Sequence, residues 1–305
     1  MQSSLRGYEF AVLQNAEANP ASGGARSVAD DLRQVTDVTG STPDLSRALT
    51  DEMVPPAARR AVVQQLFSDR IVAPALRIVT RATIAEHADE LLSVLNDATE
   101  LALEFVNLGM QEFEQQEPLY GRLGARRHAA GYAAAVFEDI AETSELETIE
   151  EQLFSLARVL SDSTPLRSAL SDSSRPVGDR RNLISSLLDG KVSAVTIRLA
   201  RASLGVRSRD PGGSVAWMAE LTAEARGWRV ANVTSARDLD EQERNDLAQA
   251  LQEVAGNPVE LLVTQDPELL GGAVVSIGNV LVDATAQHKL DLISEQFLGS
   301  LAAQG

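Results

Sequence analysis

The sequence contains no cysteine among its 305 residues, which excludes disulfide bonds and thiolate metal sites. Aromatic residues are scarce, at 4% of the chain, whereas alanine, leucine, glutamate and arginine are frequent, a composition typical of helices. No stretch reaches the roughly 18 consecutive apolar residues that a membrane span requires. The amino terminus lacks the basic and long apolar regions of a secretory signal. We therefore expect a soluble, helix-rich protein in the cytoplasm.

Positive charge is also in short supply. Only 27 lysines and arginines face 44 aspartates and glutamates, which gives a formal net charge of −17 and a pI of about 4.6. Nucleic-acid binding depends on cationic side chains, so this balance makes DNA and RNA poor partners. An acidic surface instead suits basic protein partners and repels anionic lipid headgroups.

Residue patterns that support catalysis are absent as well. His87, His128 and His288 stand far apart and form no metal-binding spacing. No G-x-S-x-G motif occurs, and the glycines near residue 271 are not followed by the Lys-Ser or Lys-Thr of a phosphate loop. The sequence therefore predicts a protein that is not an enzyme, with no catalytic residue, no cofactor and no metal site.

An internal repeat is the clearest feature that the sequence does have. A shift of about 121 residues lays Val28–Ile78 over Ile149–Leu199 without a gap. The first helix also aligns if the loop around Gly23 carries about three extra residues. We infer two helical bundles of one design, called copy one (residues 1–83) and copy two (residues 125–210). The aligned pairs include Gly7-Tyr8 with Gly131-Tyr132, Val12 with Val136, Leu45 with Leu166, Asp51 with Asp172, Pro55 with Pro176, and Arg59-Arg60 with Arg180-Arg181.

The repeated arginines have two interpretations. They could pair with Asp51 and Asp172, which are also repeated, and so tie the start of one helix to the preceding turn. They could instead contact a partner. We favour the internal pairing.

Residues 84–124 lie between the copies and predict a long connecting helix with a linker. Apolar residues from Ile84 to Phe105 recur at spacings of four and three, so they lie on one helical stripe. A continuous helix of about 34 residues would span roughly 50 Å. It could be a rigid arm that separates two docking modules, or an ordinary helix whose stripe packs on both bundles.

The last part of the chain, residues 211–305, changes to a strand pattern. A hinge is predicted at Asp210–Gly213, where Pro and two glycines follow each other. Strands are predicted near 228–233, 259–263, 273–277 and 280–282, with a two-residue hairpin loop at Gly278 and Asn279. Helices are predicted at 215–225 and 240–255, followed by a short final helix. This is a small α/β domain.

A specific signature lies within these strands. It reads D-P-x-L-x-G-G-x-x-V-x-I-G-x-x-x-x-D and resembles the carboxyl-terminal signature of the delta subunit of ATP synthases, called OSCP in mitochondria. The family shows a small residue, Ser and a basic residue before its last helix, where this chain has Ala284-Thr285-Ala286-Gln287. The signature residues are Asp266, Pro267, Leu269, Gly271, Gly272, Val275, Ile277, Gly278 and Asp283.

The resemblance implies a complete fold. An ordinary delta subunit is a six-helix bundle followed by a strand-bearing domain, and residues 125–305 match that plan. Residues 1–83 are then an additional copy, as in some actinobacterial delta subunits. The expected fold is mainly α, with two tandem six-helix bundles joined by a long helix and followed by a small carboxyl-terminal α/β domain.

The resemblance also implies a function and partners. The protein would be a stator subunit that links the catalytic head to the stalk b subunit, at the cytoplasmic face of the membrane and only indirectly associated with it. In the family, an amphipathic amino-terminal helix of an alpha subunit binds a groove between the first and fifth helices of the bundle. The residues carried over to that groove are Tyr8, Val12, Ile71 and Leu76 in copy one, and Tyr132, Val136, Val192 and Ile197 in copy two.

Two other functions fit the sequence less well. One is a free-standing adaptor made of helical repeats and unrelated to ATP synthase. The other is a small-molecule-binding enzyme regulator that uses the strand domain.

Overall fold

The computed structural model describes most of the chain, and the described residues form thirteen helices and one four-stranded sheet. They fall into two compact units, one up to Ala219 and one from Glu220 onward. The prediction of a mainly helical fold with a small α/β part is confirmed. The described residues are 2–19, 21, 23–51, 53–83, 90–116, 122–140, 143–172, 174–204, 210–227, 229–237, 239–255, 259–265, 269, 272–277 and 280–283.

The helices of the first unit follow the repeat. Copy one contains five helices, and α6 follows them. Copy two contains the next five, and α12 follows in turn. The bounds are α1 Gln2–Ala18, α2 Gly24–Ser41, α3 Pro43–Thr50, α4 Pro56–Phe67, α5 Ala73–Thr83, α6 Leu91–Gln116, α7 Arg122–Glu138, α8 Thr143–Asp162, α9 Thr164–Ser171, α10 Val177–Leu188, α11 Ala194–Ser203 and α12 Pro211–Ala225.

Equivalent hydrogen bonds confirm that the two copies share one design. In copy one, the backbone N–H of Val72 donates to Oδ2 of Asp31 at 2.6 Å. At the equivalent place in copy two, the N–H of Ser193 donates to Oε1 of Gln152 at 3.1 Å. Each bond fixes the turn before the fifth helix of a copy onto its second helix. The sequence repeat is therefore a repeat of tertiary contacts and not only of helix lengths.

One of the repeated arginines, Arg180, holds a helix end in a way that differs from the predicted ion pair. Arg180 is buried and donates through Nη1 to the carbonyl of Leu170 at 3.2 Å, in the last turn of α9. Asp172 has another cation, since Nε of Arg175 lies 3.5 Å from its carboxylate. A guanidinium near a helix carboxyl terminus satisfies carbonyls that the helix leaves unpaired. The structural role was expected, but the acceptor is a backbone carbonyl.

The helix between the copies is interrupted. Gly109 has φ 73° and ψ 160°, which breaks the helical geometry inside α6. The prediction of a continuous helix is therefore wrong at this residue. Its apolar stripe, from Leu91 to Phe105, is buried, and α6 contacts α2 of copy one and α10 of copy two. These contacts favour the interpretation as a helix that packs on both bundles, while residues 84–89 lie outside the described part.

The predicted hinge at Asp210 is also wrong, because the Pro-Gly-Gly stretch forms the first turn of α12. Oδ1 of Asp210 accepts the N–H of Gly213 at 2.9 Å, which is an N-terminal cap. Proline is well tolerated at the first helical position. A Cβ on Gly212 would lie 2.6 Å from Oγ of Ser161 on α8, so this glycine permits close packing.

The second unit contains the sheet with strand order β2-β1-β3-β4. Its predicted strands are confirmed as β1 Arg229–Ser235, β2 Val259–Gln265, β3 Ala273–Ile277 and β4 Val280–Asp283. β1 pairs parallel with β2 and antiparallel with β3, and β3 pairs antiparallel with β4. The helix α13, Glu241–Ala255, begins with a reciprocal cap between Asp240 and Glu243, and Leu247 and Leu251 of this helix pack on the buried face of the sheet.

Only part of the signature lies in the described residues. Gly272 has φ 82°, a conformation that favours glycine. Ile277 pairs with Val280, which is the register of a two-residue connection. The backbone of Asp283 pairs with Val274 in the hairpin. Asp266, Pro267, Gly271, Gly278 and the predicted final helix lie outside the described residues.

Candidate partner-binding surfaces

The most intimate contact of the first unit is between α1 and α7, the first helices of the two copies. A Cβ on Gly7 would lie 2.0 Å from the carbonyl oxygen of His128. A Cβ on Gly131 would lie 1.8 Å from the carbonyl oxygen of Ser4. Both distances are far below van der Waals contact, so glycine is required at each position. Since the two glycines are equivalent in the repeat, the helices meet with approximate twofold symmetry.

Two buried tyrosines reach across this contact in a reciprocal way. The hydroxyl of Tyr8 donates to Oε2 of Glu138 on α7. The hydroxyl of Tyr132 donates to Oε1 of Gln14 on α1 at 2.6 Å. Burial, followed by the hydrogen bond to Glu138, raises the pKa of Tyr8 to about 12. The hydroxyl of Tyr8 is therefore protonated at neutral pH and acts as a donor.

Arginine completes the contact on the copy-one side. Arg77 of α5 donates to Oδ1 of Asp139 at 2.6 Å and to the carbonyl of Ala135 at 2.7 Å, and its Nη2 lies 3.3 Å from Glu138. Ala135 and Glu138 lie in the last turn of α7, and Asp139 directly follows it. Copy one thus holds the first helix of copy two through its own first and fifth helices.

The structure brings four of the eight predicted docking residues together inside this contact region. Tyr8, Val12, Tyr132 and Val136 are buried on α1 and α7. α1 is enclosed, because its buried residues from Tyr8 to Leu13 cover every side of the helix. The faces expected to receive an external helix therefore lie against the other copy. That these residues bind a partner stays a prediction.

The other four predicted residues lie nearer the surface. Ile71 is at the edge of the core, and Leu76, Val192 and Ile197 are half-buried. Val192 lines an apolar groove on copy two with a volume of about 520 Å³. The groove lies between α8, α9 and α10, and its apolar lining includes Leu156, Val159, Leu166 and Leu187.

One exposed apolar position of this groove has an equivalent in copy one. Val159 is 53% exposed, and its equivalent in copy one, Val38, is 38% exposed. Val38 departs from the other apolar residues of α2, since Val28, Leu32 and Val35 are buried. The signal that could have found the pair was in the repeat, which aligns valine with valine in the last turns of the second helices.

Neither a cluster of metal ligands nor a helix suited to span a membrane occurs in the described part of the chain. No group of three or more metal-ligating side chains occurs among those residues. Within the same ranges, no helix is both long and apolar enough to cross a membrane.

Comparison with known families gives one match that covers more than half of the chain. A sequence model of the family described as "ATP synthase delta (OSCP) subunit" matches residues 129–297. The matched part begins within α7, so it contains most of copy two and most of the strand-bearing unit. Copy one lies outside it.

Individual relatives extend the similarity further toward the amino terminus. The "ATP synthase subunit delta" of Frankia alni is 32% identical over 289 residues, which is 92% of this chain and 92% of that protein. The protein of the same name from Corynebacterium urealyticum is 30% identical over 275 residues, 90% of each chain. Each alignment contains more residues than the part of the chain that runs from residue 129 to its end. Both alignments therefore include residues of copy one.

A solved structure is also similar. A chain of the structure titled "Cryo-EM structure of Toxoplasma gondii mitochondrial ATP synthase hexamer, composite model" is 21% identical, with a TM-score of 0.39. The match covers 56% of this chain and 97% of that chain.

Proposed function

The chain belongs to the ATP synthase delta (OSCP) subunit family, and from this premise we propose that it is a stator subunit of the rotary ATP synthase. It fastens the catalytic head to the peripheral stalk at the cytoplasmic face of the membrane, which it reaches only through other subunits. Its role is structural and not catalytic. The observation that carries the proposal within this chain is the α1–α7 contact, which joins two docking bundles into one compact unit.

The proposed mechanism is mechanical. Rotation of the central shaft applies torque to the head, and the head turns with the shaft unless a static link resists. Such a link requires several interfaces that do not slip. Packed protein interiors are dense and resist compression, so a unit whose copies share one core transmits force without a flexible joint.

We place the docking of the alpha subunit on the apolar grooves that lie outside the α1–α7 contact. An amphipathic helix binds such a groove through apolar residues on one face, so two equivalent grooves could hold two alpha amino-terminal helices. In copy two the proposed contacts are Val159, Leu187 and Val192. In copy one the equivalents are Val38, Leu66 and Ile71. Attachment at two places raises the effective affinity because the second binding step is intramolecular.

The second unit is proposed to contact the stalk b subunit. This assignment rests on the carboxyl-terminal signature, which the family model includes. The two ends of the chain would then bind different partners, as a link between head and stalk requires.

Replacing Val159 by aspartate is expected to weaken binding of an alpha amino-terminal peptide to copy two at least tenfold. The substitution removes an apolar contact with the peptide, and the new carboxylate loses its hydration when the peptide helix covers it. Together these two losses exceed about 1.4 kcal/mol, the binding free energy that corresponds to a tenfold change in affinity. Calorimetric titration of the full chain measures both affinity and stoichiometry. We expect two peptides per wild-type chain, one per Val159→Asp chain, and none for the variant that also carries Val38→Asp.

Met53→Asp is the matched control, because Met53 is 88% exposed and lies outside the groove. It should bind two peptides with wild-type affinity. Unchanged binding by the double variant would refute docking in these grooves. Failure of the wild-type chain to bind any peptide would contradict the stator proposal itself.

A further inference from the structure

A second cavity in the first unit has a different character from the apolar grooves. It has a volume of about 520 Å³ and lies between α1, α6, α7, α10 and α11. Arginine is unusually frequent in its lining, which includes Arg181, Arg198 and Arg201 together with His128 and Tyr132. Among the described lining residues, Glu114 is the one carboxylate. Such a concentration of positive charge is unexpected in a chain with a net charge of −17.

The carboxylate of Glu114 is already engaged. It forms an ion pair with Arg201, and it also accepts a hydrogen bond from Nε2 of Gln14 at 2.9 Å. Arg201 donates in addition to Oγ of Ser185 at 2.7 Å. Glu114 and Arg201 therefore neutralise each other, so Glu114 is not available as the counter-charge of Arg198.

Arg198 has hydrogen-bonding capacity that the described residues do not use. Its Nε donates to the hydroxyl oxygen of Tyr132 at 3.2 Å. Its Nη2 is buried and has no hydrogen-bond partner among the described residues. Burial raises the pKa of Tyr132, so this tyrosine is a neutral group and does not supply a counter-charge. A buried donor without an acceptor is costly, and an acceptor that entered the cavity would remove the cost.

The equivalent arginine in copy one, Arg77, has anionic partners whose counterparts beside Arg198 are neutral. Arg77 lies beside two carboxylates, Glu138 at 3.3 Å and Asp139 at 2.6 Å. Under the repeat, the residues that correspond to them on the Arg198 side are Gln14 and Asn15, which are neutral amides. Copy two thus keeps the arginine but lacks two negative charges. The cavity lies on that same side.

We propose that this cavity binds a phosphate group, either as inorganic phosphate or as the terminal phosphate of a nucleotide. A phosphate carries up to two negative charges at neutral pH, which matches the two carboxylates that copy one has and copy two lacks. The planar guanidinium of arginine binds phosphate oxygens through two parallel hydrogen bonds. The volume falls in the range of small-molecule sites, so it accepts either source of the phosphate. The site is separate from the proposed docking grooves and does not depend on the stator function.

The test is calorimetric titration of the full chain with inorganic phosphate, ADP and ATP, at an ionic strength held constant with sodium chloride. We expect one saturable site per chain for inorganic phosphate or for the nucleotides. Arg198→Gln should weaken this binding at least tenfold, while Arg198→Lys, which keeps the charge but loses the planar fork, should weaken it less. Arg47→Gln removes the same charge at an exposed position, where the arginine lies 3.6 Å from Asp44, and should bind as the wild type does.

Comparing the three ligands distinguishes inorganic phosphate from a nucleotide as the source of the bound phosphate group. Binding of inorganic phosphate alone indicates the free anion, whereas binding of ADP and ATP without inorganic phosphate indicates a nucleotide. The proposal is overturned if the wild-type chain gives no saturable binding in any arm, or if folded Arg198→Gln binds with wild-type affinity. Circular dichroism of each variant confirms that it is folded.

Discussion

Replacing Gly131 by alanine is expected to destabilise the protein by about 3 kcal/mol, the upper end of the usual range for core overpacking. Helix propensity predicts the opposite sign, because alanine is favoured over glycine inside a helix by about 1 kcal/mol. The steric contact with α1, and not helix propensity, determines whether this substitution stabilises or destabilises the protein. The added Cβ would lie 1.8 Å from the carbonyl oxygen of Ser4, and this neighbour is backbone, which has little freedom to move away. Urea unfolding followed by circular dichroism at 222 nm measures the change.

Gly40→Ala provides the matched control for that experiment. Gly40 is also inside a helix, α2, but a Cβ there would have no neighbour within 4 Å. This variant should be as stable as the wild type or more stable by up to about 1 kcal/mol. A Gly131→Ala protein with at least wild-type stability would show that α1 and α7 do not cross as closely as described.

Glu9→Gln is expected to remove most of the loss of stability that the protein undergoes between pH 5 and pH 8. Glu9 is buried on α1, and burial, with a smaller contribution from Asp97 opposed by Arg6, raises its pKa from 4.5 to about 8. In this window the folded state holds a proton that the unfolded state has released. Stability from this group is therefore complete below pH 4.5 and falls as the pH rises toward 8.

The expected size of this stability loss follows from the shift in the pKa of Glu9. Each unit of pKa difference corresponds to about 1.4 kcal/mol, so the wild type should lose a few kcal/mol across the window through this residue. Glutamine keeps the shape and does not titrate. Urea unfolding at pH 5 and at pH 8 gives the difference for each protein. Glu100→Gln on the exposed face of α6 is the control and should retain the wild-type difference. An equal pH dependence in the Glu9→Gln and wild-type proteins would contradict a buried, protonated Glu9.

The repeat made much of the fold predictable from one sequence. The helix starts at Pro43 and Pro56 recur at the equivalent positions of copy two, because a proline and an apolar stripe fix the beginning and the buried side of each helix. The strands were predictable for a similar reason, since alternation and turn residues are local signals. Secondary structure depends largely on local sequence patterns, and a pattern that occurs in both copies supports the same prediction twice.

The contact between the copies could not be predicted in this way. Gly7 and Gly131 were visible as an aligned pair, but a glycine inside a helix does not reveal which helix approaches it. The break at Gly109 was missed because the apolar stripe on α6 ends before it. Asp210 was misread because a Pro-Gly-Gly stretch can end a domain or begin a helix, and the packing of Gly212 on α8 decides between the two. For Gly7, Gly131 and Gly212, the information lies in a helix that is distant in sequence.

The reciprocal helix contact has a consequence for the order in which the protein forms during synthesis. Tyr8 and Glu138, which meet in the finished unit, are separated by 130 positions in the chain. At a translation rate of about 5–20 residues per second, the first helix waits roughly 6–26 s for its counterpart to leave the ribosome. During that interval the nascent copy one exposes the surface that α7 later covers. A ribosome-bound chaperone that shields this surface until residue 140 has emerged would raise the yield of the folded protein.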